Sequence, residues 1–549
     1  MSGSLNLAGL LLAAAPGLPL ALLASALWRG PRARLMRLLP FAPLPALLAA
    51  LLAPGGALVL APDPLRLTLA LDLPGAMLLG GAALLWSLAG LYAASYMARD
   101  ARRTGFAAWW LATMAGSLAL FLVADLASFY LAFSLASLAA YGLVAHERTP
   151  AAGRAATLYM VLALLGEAFL LLAFVMLATG EAAGNPMIAE AVARLPTSPW
   201  RGAILTLLIL GFALKMGLVP LHVWMPLAHP VAPMPASAAL SGIIVKAGVI
   251  GLIRFLPFEA GLETAGTVLV ALGLFTAFYA VAVGVTQHHP KVVLAYSTVS
   301  QMGVIAAVLG AGLALGDTRT GTLAAYYALH HLLVKGALFL GVGVAAGRAL
   351  PWQRAIMALL ALSLAGLPFT SGMLAKYAVK DLFGDGFALL LVTLSATGST
   401  LLMLHFLRRL ARAPDAKPAG TALLAPWLAV AASSLVALWV LFPVASGAGY
   451  GALIAPSALW KAAWPMLLGA ALYLPLRRLG GRLPRIPEGD AVVLGEALVP
   501  LARQASAGAE RLDELIRRWP VAGALLVLVI LLLGAALQLS AGIGPLRAG

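Results

Sequence analysis

The chain has 549 residues, of which 62% are hydrophobic and 10% charged, with a mean hydropathy of +0.98. Such a balance excludes an ordinary soluble domain, and apolar stretches longer than about 18 residues recur throughout, as membrane-spanning helices require. With no cysteine, disulfides, thiolate-held metals and iron–sulfur clusters are excluded, and the net charge of +16 sits in short connections between apolar runs, where it reads as a topology signal and not as a nucleic-acid surface.

The pattern predicts an all-α polytopic membrane protein with about sixteen spans, at 5–28, 38–61, 74–97, 105–123, 125–145, 155–178, 202–220, 235–255, 264–286, 291–312, 322–345, 355–382, 387–407, 421–443, 455–476 and 520–541. The first is expected to remain as a helix: no basic residue precedes it and it is long enough to span. Spans four and five are separated by almost nothing, and merging them would reverse everything downstream. Connections after odd-numbered spans hold most of the Lys and Arg, among them Arg29, Arg34, Arg37, Arg99, Arg103, Arg408, Arg409 and Arg412. The opposite side has Arg66, Arg194, Arg201, Arg254, Arg319 and Arg547. By the positive-inside rule the basic loops face the cytoplasm of a cell (inner) membrane and both termini lie outside.

Six lysines fall within spans: Lys215, Lys246, Lys335, Lys376, Lys380 and Lys461. A charge at the bilayer centre costs roughly 2.5–3.5 kcal/mol on insertion scales, so it faces the protein interior and marks an ion path. Lysine suits such a path because it can give up its proton when buried, whereas arginine stays charged. Lys215, Lys246 and Lys335 each lie about 16–20 Å along their spans, near mid-membrane.

Span seven (FALKMGLVPLHVW) and span twelve (LSLAGLPFTSGMLAK) are each interrupted by a Gly/Pro step, at Pro220 and Pro368, with Lys215 and Lys376 nearby. Proline breaks the helical hydrogen-bond ladder, which lipid tolerates only where the opened turn lines a cavity. An offset of five spans runs the two elements in opposite directions, the pattern of two inverted five-helix repeats, spans 4–8 and 9–13. The expected organisation is helices 1–3 over residues 1–104, a first half-channel over 105–255, a second over 264–410, and helices 14–16 over 421–549. Within the last part, the segment between Pro475 and Pro520 fits either an interfacial amphipathic helix or a solvated basic loop. The connections 179–201 and 444–454 read as surface turns.

The stretches LKMGLVPLHVWMPLAHPVAPMPASAALSGIIVKAGVIGLIRF (214–255), LAYSTVSQMG (294–303), HHLLVKGALFLGVG (330–343) and LSLAGLPFTSGMLAK (362–376) resemble one family. It is that of the antiporter-like, proton-conducting membrane subunits shared by respiratory complex I, membrane-bound hydrogenases and multisubunit cation/proton antiporters. The resemblance covers about spans three to thirteen and implies two inverted five-helix units with a line of lysines, histidines and water along the midplane. It assigns Lys215 to the seventh-span lysine, Lys246 to the eighth-span bridging lysine, His330, His331 and Lys335 to the eleventh-span motif, and Lys376 to the exit lysine.

One departure matters. The family's fifth-span Trp-Glu pair is replaced here by Phe133 and Ser134, while span six carries its own central acid, Glu167. Either Glu167 has taken over as counter-ion of Lys215, or it is structural and the first half-channel has lost pumping. Lys461 reads as a snorkelling interfacial lysine; Lys380 fits an exit position and a plain interfacial lysine equally. His222 and His229 read as hydrogen-bonded helix-end groups in preference to metal ligands, with no Asp, Glu or Cys beside them. His288 and His289 are expected at a cytoplasmic surface. Of His330 and His331, one is expected to face the channel, since neighbouring helix positions diverge by about 100°.

The resulting expectation is a proton-translocating subunit of a larger membrane complex, not catalytic alone and without a cofactor, driven by partner membrane subunits or a peripheral redox or catalytic subunit. The alternatives are a subunit that uses the ion gradient to energise a soluble partner enzyme, such as one of inorganic-carbon uptake, a Na+/H+ antiporter subunit, and a structural anchor with an inactive channel.

Overall fold

Apolar runs bounded by capping residues and by Gly/Pro steps make 79% of the described residues helical. The structure is a computed structural model that describes residues 6–28, 34–62, 66–179, 185–347, 349–414, 420–479 and 486–489. In chain order the helices are α1 (Leu7–Ser25), α2 (Leu35–Leu38), α3 (Leu44–Leu52), α4 (Leu73–Tyr96), α5 (Arg103–Leu120), α6 (Leu126–Val144), α7 (Pro150–Ala178) and α8 (Ile188–Arg194). The chain continues through α9 (Arg201–Met216), α10 (Trp224–Val231), α11 (Met234–Ala239), α12 (Lys246–Phe255), α13 (Glu263–Gly284), α14 (Pro290–Leu315) and α15 (Thr320–Ala345). It closes with α16 (Pro351–Ala365), α17 (Ser371–Val379), α18 (Phe387–Ala411), α19 (Thr421–Ser446), α20 (Gly451–Ile454) and α21 (Pro456–Leu479).

Among the described residues, ten helices are long and apolar enough to cross a membrane. The interrupted spans fall short as single helices: α9 has 16 residues and α16 has 15. Spans four and five are separate, as α5 and α6. Asp125 makes the turn between them: its carboxylate caps α6 at Ser128 N (2.8 Å) and also accepts from Thr68 N (3.0 Å) and the Asn185 amide (2.5 Å). An acceptor at the N-cap satisfies backbone donors that the first turn leaves unpaired.

The expected second span, 38–61, is not one helix. Pro40 and Pro43 divide α2 from α3, whose first turn holds Pro45, and after Pro54-Gly55-Gly56 the chain turns into an antiparallel hairpin, β1 (Ala57–Ala61) with β2 (Leu67–Ala70). Proline's missing donor and paired glycines end a helix whatever the hydropathy, and Leu-Val-Leu then suits a strand. The connection 179–201 likewise carries α8, and 444–454 holds the end of α19 and α20. Span sixteen and the amphipathic segment lie outside the described residues.

Burial sorts the helices. The apolar window of α14 is 100% buried inside the protein and those of α11–α12 and α15 are 94% buried, against 28% for α1. The interior helices are therefore the ones that carry Lys246, His330, His331 and Lys335.

Candidate functional site: a buried line of lysines and histidines

At the span-seven break, α9 ends at Gly217 in the left-handed conformation (φ 74°), where a residue without Cβ is unstrained. The freed backbone groups find partners inside the protein: Trp224 Nε1 donates to Leu214 O (3.0 Å), Val219 N to Thr276 Oγ1 (3.2 Å), and Ser237 Oγ to His229 O (3.1 Å). This is how non-helical backbone becomes tolerable at membrane depth. Lys215, in the last turn of α9, is buried and donates to Tyr159 Oη (3.0 Å), with Nζ 5.3 Å from the Tyr159 ring centroid and 5.7 Å from that of Phe133. The Tyr159 hydroxyl in turn donates a hydrogen bond to Ser137 O (2.8 Å).

Glu167 is buried on α7, close enough to Lys215 to interact electrostatically, and Ser134 stands next to its carboxylate. The two do not form a direct ion pair among the described residues, and Glu167 Oε1 has no protein hydrogen-bond partner there. The acid on α7 thus occupies the neighbourhood of the α6 position from which the family glutamate is missing.

Between α11 and α12 the helix opens into a π turn over Leu240–Ile244, a feature common at functional sites because it releases a backbone carbonyl. Here Ser241 O accepts from Lys246 Nζ (3.2 Å), and Ser241 Oγ meets Thr298 Oγ1 at 2.7 Å. Lys246 Nζ then lies 2.5 Å from His331 Nδ1. His330, on the next face of α15, meets Ser371 Oγ at 3.1 Å, and Ser371 Oγ meets Ser363 Oγ at 3.1 Å. Only one of the two histidines was expected to face the path. Both make buried polar contacts, because the 100° between them points His331 at α12 and His330 at the break between α16 and α17.

Lys335, one turn beyond His331, donates to Leu294 O (2.8 Å) and to Ser297 Oγ. One turn along α14 from Ser297, Gln301 accepts from Tyr327 Oη (3.0 Å) and donates to Ser399 Oγ (3.0 Å). Tyr327 also lines a cavity of about 380 Å³ together with Lys376, Lys380, Asp385 and Lys461. Lys376 reaches back across the span-twelve break to Ala365 O (2.8 Å). Lys380 lies over the Tyr377 ring at 4.1 Å, and Lys461 is exposed at the cavity edge.

Among the other histidines, His229 lacks, among the described residues, the protein hydrogen bonds expected of it, whereas His288 and His289 are exposed. His229 is fully buried and stacked on Phe339 at 4.6 Å, and neither ring nitrogen has a protein hydrogen-bond partner among the described residues. His222 is packed between the Tyr279 and Tyr296 rings. No group of three or more His, Cys, Asp or Glu that could hold a metal occurs among the described residues. His289 Nδ1 caps α14 by accepting from Lys291 N (3.2 Å), and His288 is exposed.

Several participants escaped the sequence reading. Tyr159, Ser241, Thr298, Ser371 and Tyr327 are single polar groups on apolar helices, a signal too common to single out. Lys291, counted with the loops, is buried and donates to Ala232 O (2.5 Å). Ser297 and Gln301 lie four residues apart within LAYSTVSQMG, and that spacing on a wholly buried helix could have revealed them.

The family described as NADH:quinone oxidoreductase/Mrp antiporter, TM, matches residues 123–404, just over half of the chain. The chain belongs to this family. Hydrogenase-4 component B of Escherichia coli (strain K12) is 31% identical over 347 residues, covering 58% of this chain and 51% of that protein. The chain thus spans about half the length of this curated relative. In fold it is similar to the Mrp complex from Dietzia sp. DQ12-45-1b (TM-score 0.75, 23% identity, 98% of this chain and 64% of that one). It is similar also to the membrane-bound sulfane sulfur reductase, an archaeal respiratory membrane complex (TM-score 0.69, 22% identity, 96% of this chain and 100% of that one). The protein is therefore a multi-pass, antiporter-like membrane protein.

Proposed function

We propose that the chain is a proton-translocating subunit of a multisubunit membrane complex, with two inverted five-helix half-units joined at Lys246 and His331. The observation that carries this reading is the 2.5 Å contact between those two side chains, because Lys246 closes the first half-unit and His331 belongs to the second. Protonation of one partner disfavours protonation of the other, since like charges in a low dielectric repel strongly. A proton arriving from Lys215 can then displace one toward His330, Lys335 and Lys376, leaving by the cavity that Tyr327 and Asp385 line. Glu167 holds Lys215 charged until partner-driven rearrangement weakens the pair, and Tyr159 positions the ammonium.

The likeness of the two breaks supports the inverted arrangement: both α9 and α16 end at a left-handed glycine, Gly217 and Gly366, with a lysine alongside. The names of the relatives support neighbouring membrane subunits as partners and a coupled complex as the energy source. The basic ends, with Arg34, Arg37, Arg102 and Arg103, face the cytoplasm in this reading. Proton uptake by vesicles containing the assembled complex tests it: Lys246→Ala should remove coupled flux while leaving assembly intact.

A further inference from the structure

The cavity of about 380 Å³ that Tyr327 and Lys376 line lies between α17, the start of α18 and α21. Its charges are unevenly matched. Lys376, Lys380 and Lys461 line it with one acid, Asp385, which is exposed in the turn before α18. Lys376 and Lys380 are one helical turn apart and share a face of α17, where like charges are destabilising. Neither has an acidic partner among the described residues: Lys376 donates to a neutral carbonyl, Ala365 O, and Lys380 lies over the Tyr377 ring. An anion set between the two ammonium groups would relieve that repulsion.

The remaining walls are of a different kind. Met373 and Val379 of α17, Leu389 and Val392 of α18, and Ala462 and Trp464 of α21 are apolar. A mostly apolar cavity with a few convergent polar groups is the usual form of a small-ligand site. Its size sets a further limit. At roughly 30 Å³ for each group the size of a water molecule, a space of about 380 Å³ holds about a dozen such groups, enough for one short chain and its head but not for two chains.

We infer that this cavity binds a single-chain carboxylate of the fatty-acid class, with its head between Lys376 and Lys380 and its chain between α18 and α21. A free inorganic anion accounts for the two ammonium groups and leaves the apolar walls unused. A neutral chain fills the walls and leaves the charges uncompensated. Ammonium groups act as point charges and do not by themselves tell a carboxylate from a phosphate, so it is the room for one chain that separates this ligand from a membrane phospholipid. Bound there, the carboxylate would hold Lys376 charged and close the exit of the proposed proton route. That consequence rests on the proposed function, whereas the binding does not.

A dodecanoate carrying a diazirine near its tail, presented to the full chain in phosphatidylcholine nanodiscs, tests this. Mildly alkaline buffer keeps the carboxylate ionised. After illumination, the peptides of α18 and α21 that line the cavity should carry about fivefold or more the label left by the matching diazirine dodecanol, the upper end for an ion pair near a surface. Lys380→Gln should lower that preference, and the double variant Lys376→Gln, Lys380→Gln should bring it near unity. Ala462→Trp, which fills the space, should reduce labelling of these peptides by both probes. Excess unlabelled dodecanoate should compete with the probe, and an equal excess of phosphatidylglycerol should not. The thermal unfolding midpoint of each variant shows that it is folded. Equal labelling by acid and alcohol in the wild type, an unchanged preference in the folded double variant, or loss of the label to phosphatidylglycerol would overturn the inference. Because labelling is read without proton flux, failure of the proton route would leave a positive result standing.

Discussion

Lys246 Nζ and His331 Nδ1 stand 2.5 Å apart, on helices α12 and α15 that are both buried in the protein interior. A contact this short between two basic groups disfavours protonation of both at once, and under the proposed function the pair would pass single protons. Lys246→Ala and His331→Ala should each lower proton flux by about a hundredfold or more, the low end of what loss of a proton-transfer group costs. Flux is read from a pH-sensitive dye inside vesicles. His331→Gln keeps a polar group of similar size but cannot carry the charge, and should fail as well.

Ser134 beside Glu167 places a hydroxyl where the family carries its acid and an acid on the next helix. Glu167→Gln should impair transport almost as much as loss of Lys215, because a buried ammonium without a counter-ion tends to lose its proton. The double variant Ser134→Glu, Glu167→Gln should regain part of the flux. If Glu167→Gln transports like the wild type, the acid is structural.

Gly248 lets α12 lie against the end of α9 that carries Lys215. A Cβ there would stand 2.6 Å from Phe212 O and 2.7 Å from Met216 Cγ. Gly248→Ala should push the two helices apart and lower flux about as severely as changing a relay residue, while both lysines remain in place. Flux measured beside the amount of folded protein separates this from simple misfolding.

Asp125 accepts three hydrogen bonds while wholly buried, tying β2, the start of α6 and the 185 segment together. Asp125→Ala removes a cap and leaves buried donors unpaired, at a cost of about 2 kcal/mol or more. The thermal unfolding midpoint should fall clearly. Flux per folded molecule should change little, since Asp125 makes no contact with the lysine line.

The burial of Lys215, Lys246 and Lys335 was readable because lysine is so costly at membrane depth that it faces the protein interior. Lys215, Lys246 and Lys335 are buried inside the protein, and Lys376 is half-buried beside a cavity. Hydropathy could not tell the 38–61 stretch from a span, since Leu and Val are apolar in strand and helix alike, and only the prolines and glycines decided it. The fine structure of the site escaped for a different reason. Tyr159 reaches Lys215 from a helix 56 positions away, and the π turn at Leu240–Ile244 packs against α15 and meets α14 at Thr298, contacts no local pattern encodes. Lys291 misled the reading because its place at the start of a helix looks exposed until α10 covers it.

The most direct test of the account is proton flux through the assembled complex bearing Lys215→Ala, measured beside Lys215→Arg and Lys461→Ala. The account predicts loss of coupled flux in the first two, since alanine cannot carry the proton and a guanidinium cannot release it near neutral pH, and near wild-type flux in the exposed Lys461 variant. Wild-type flux in Lys215→Ala, with the complex properly assembled, would contradict it.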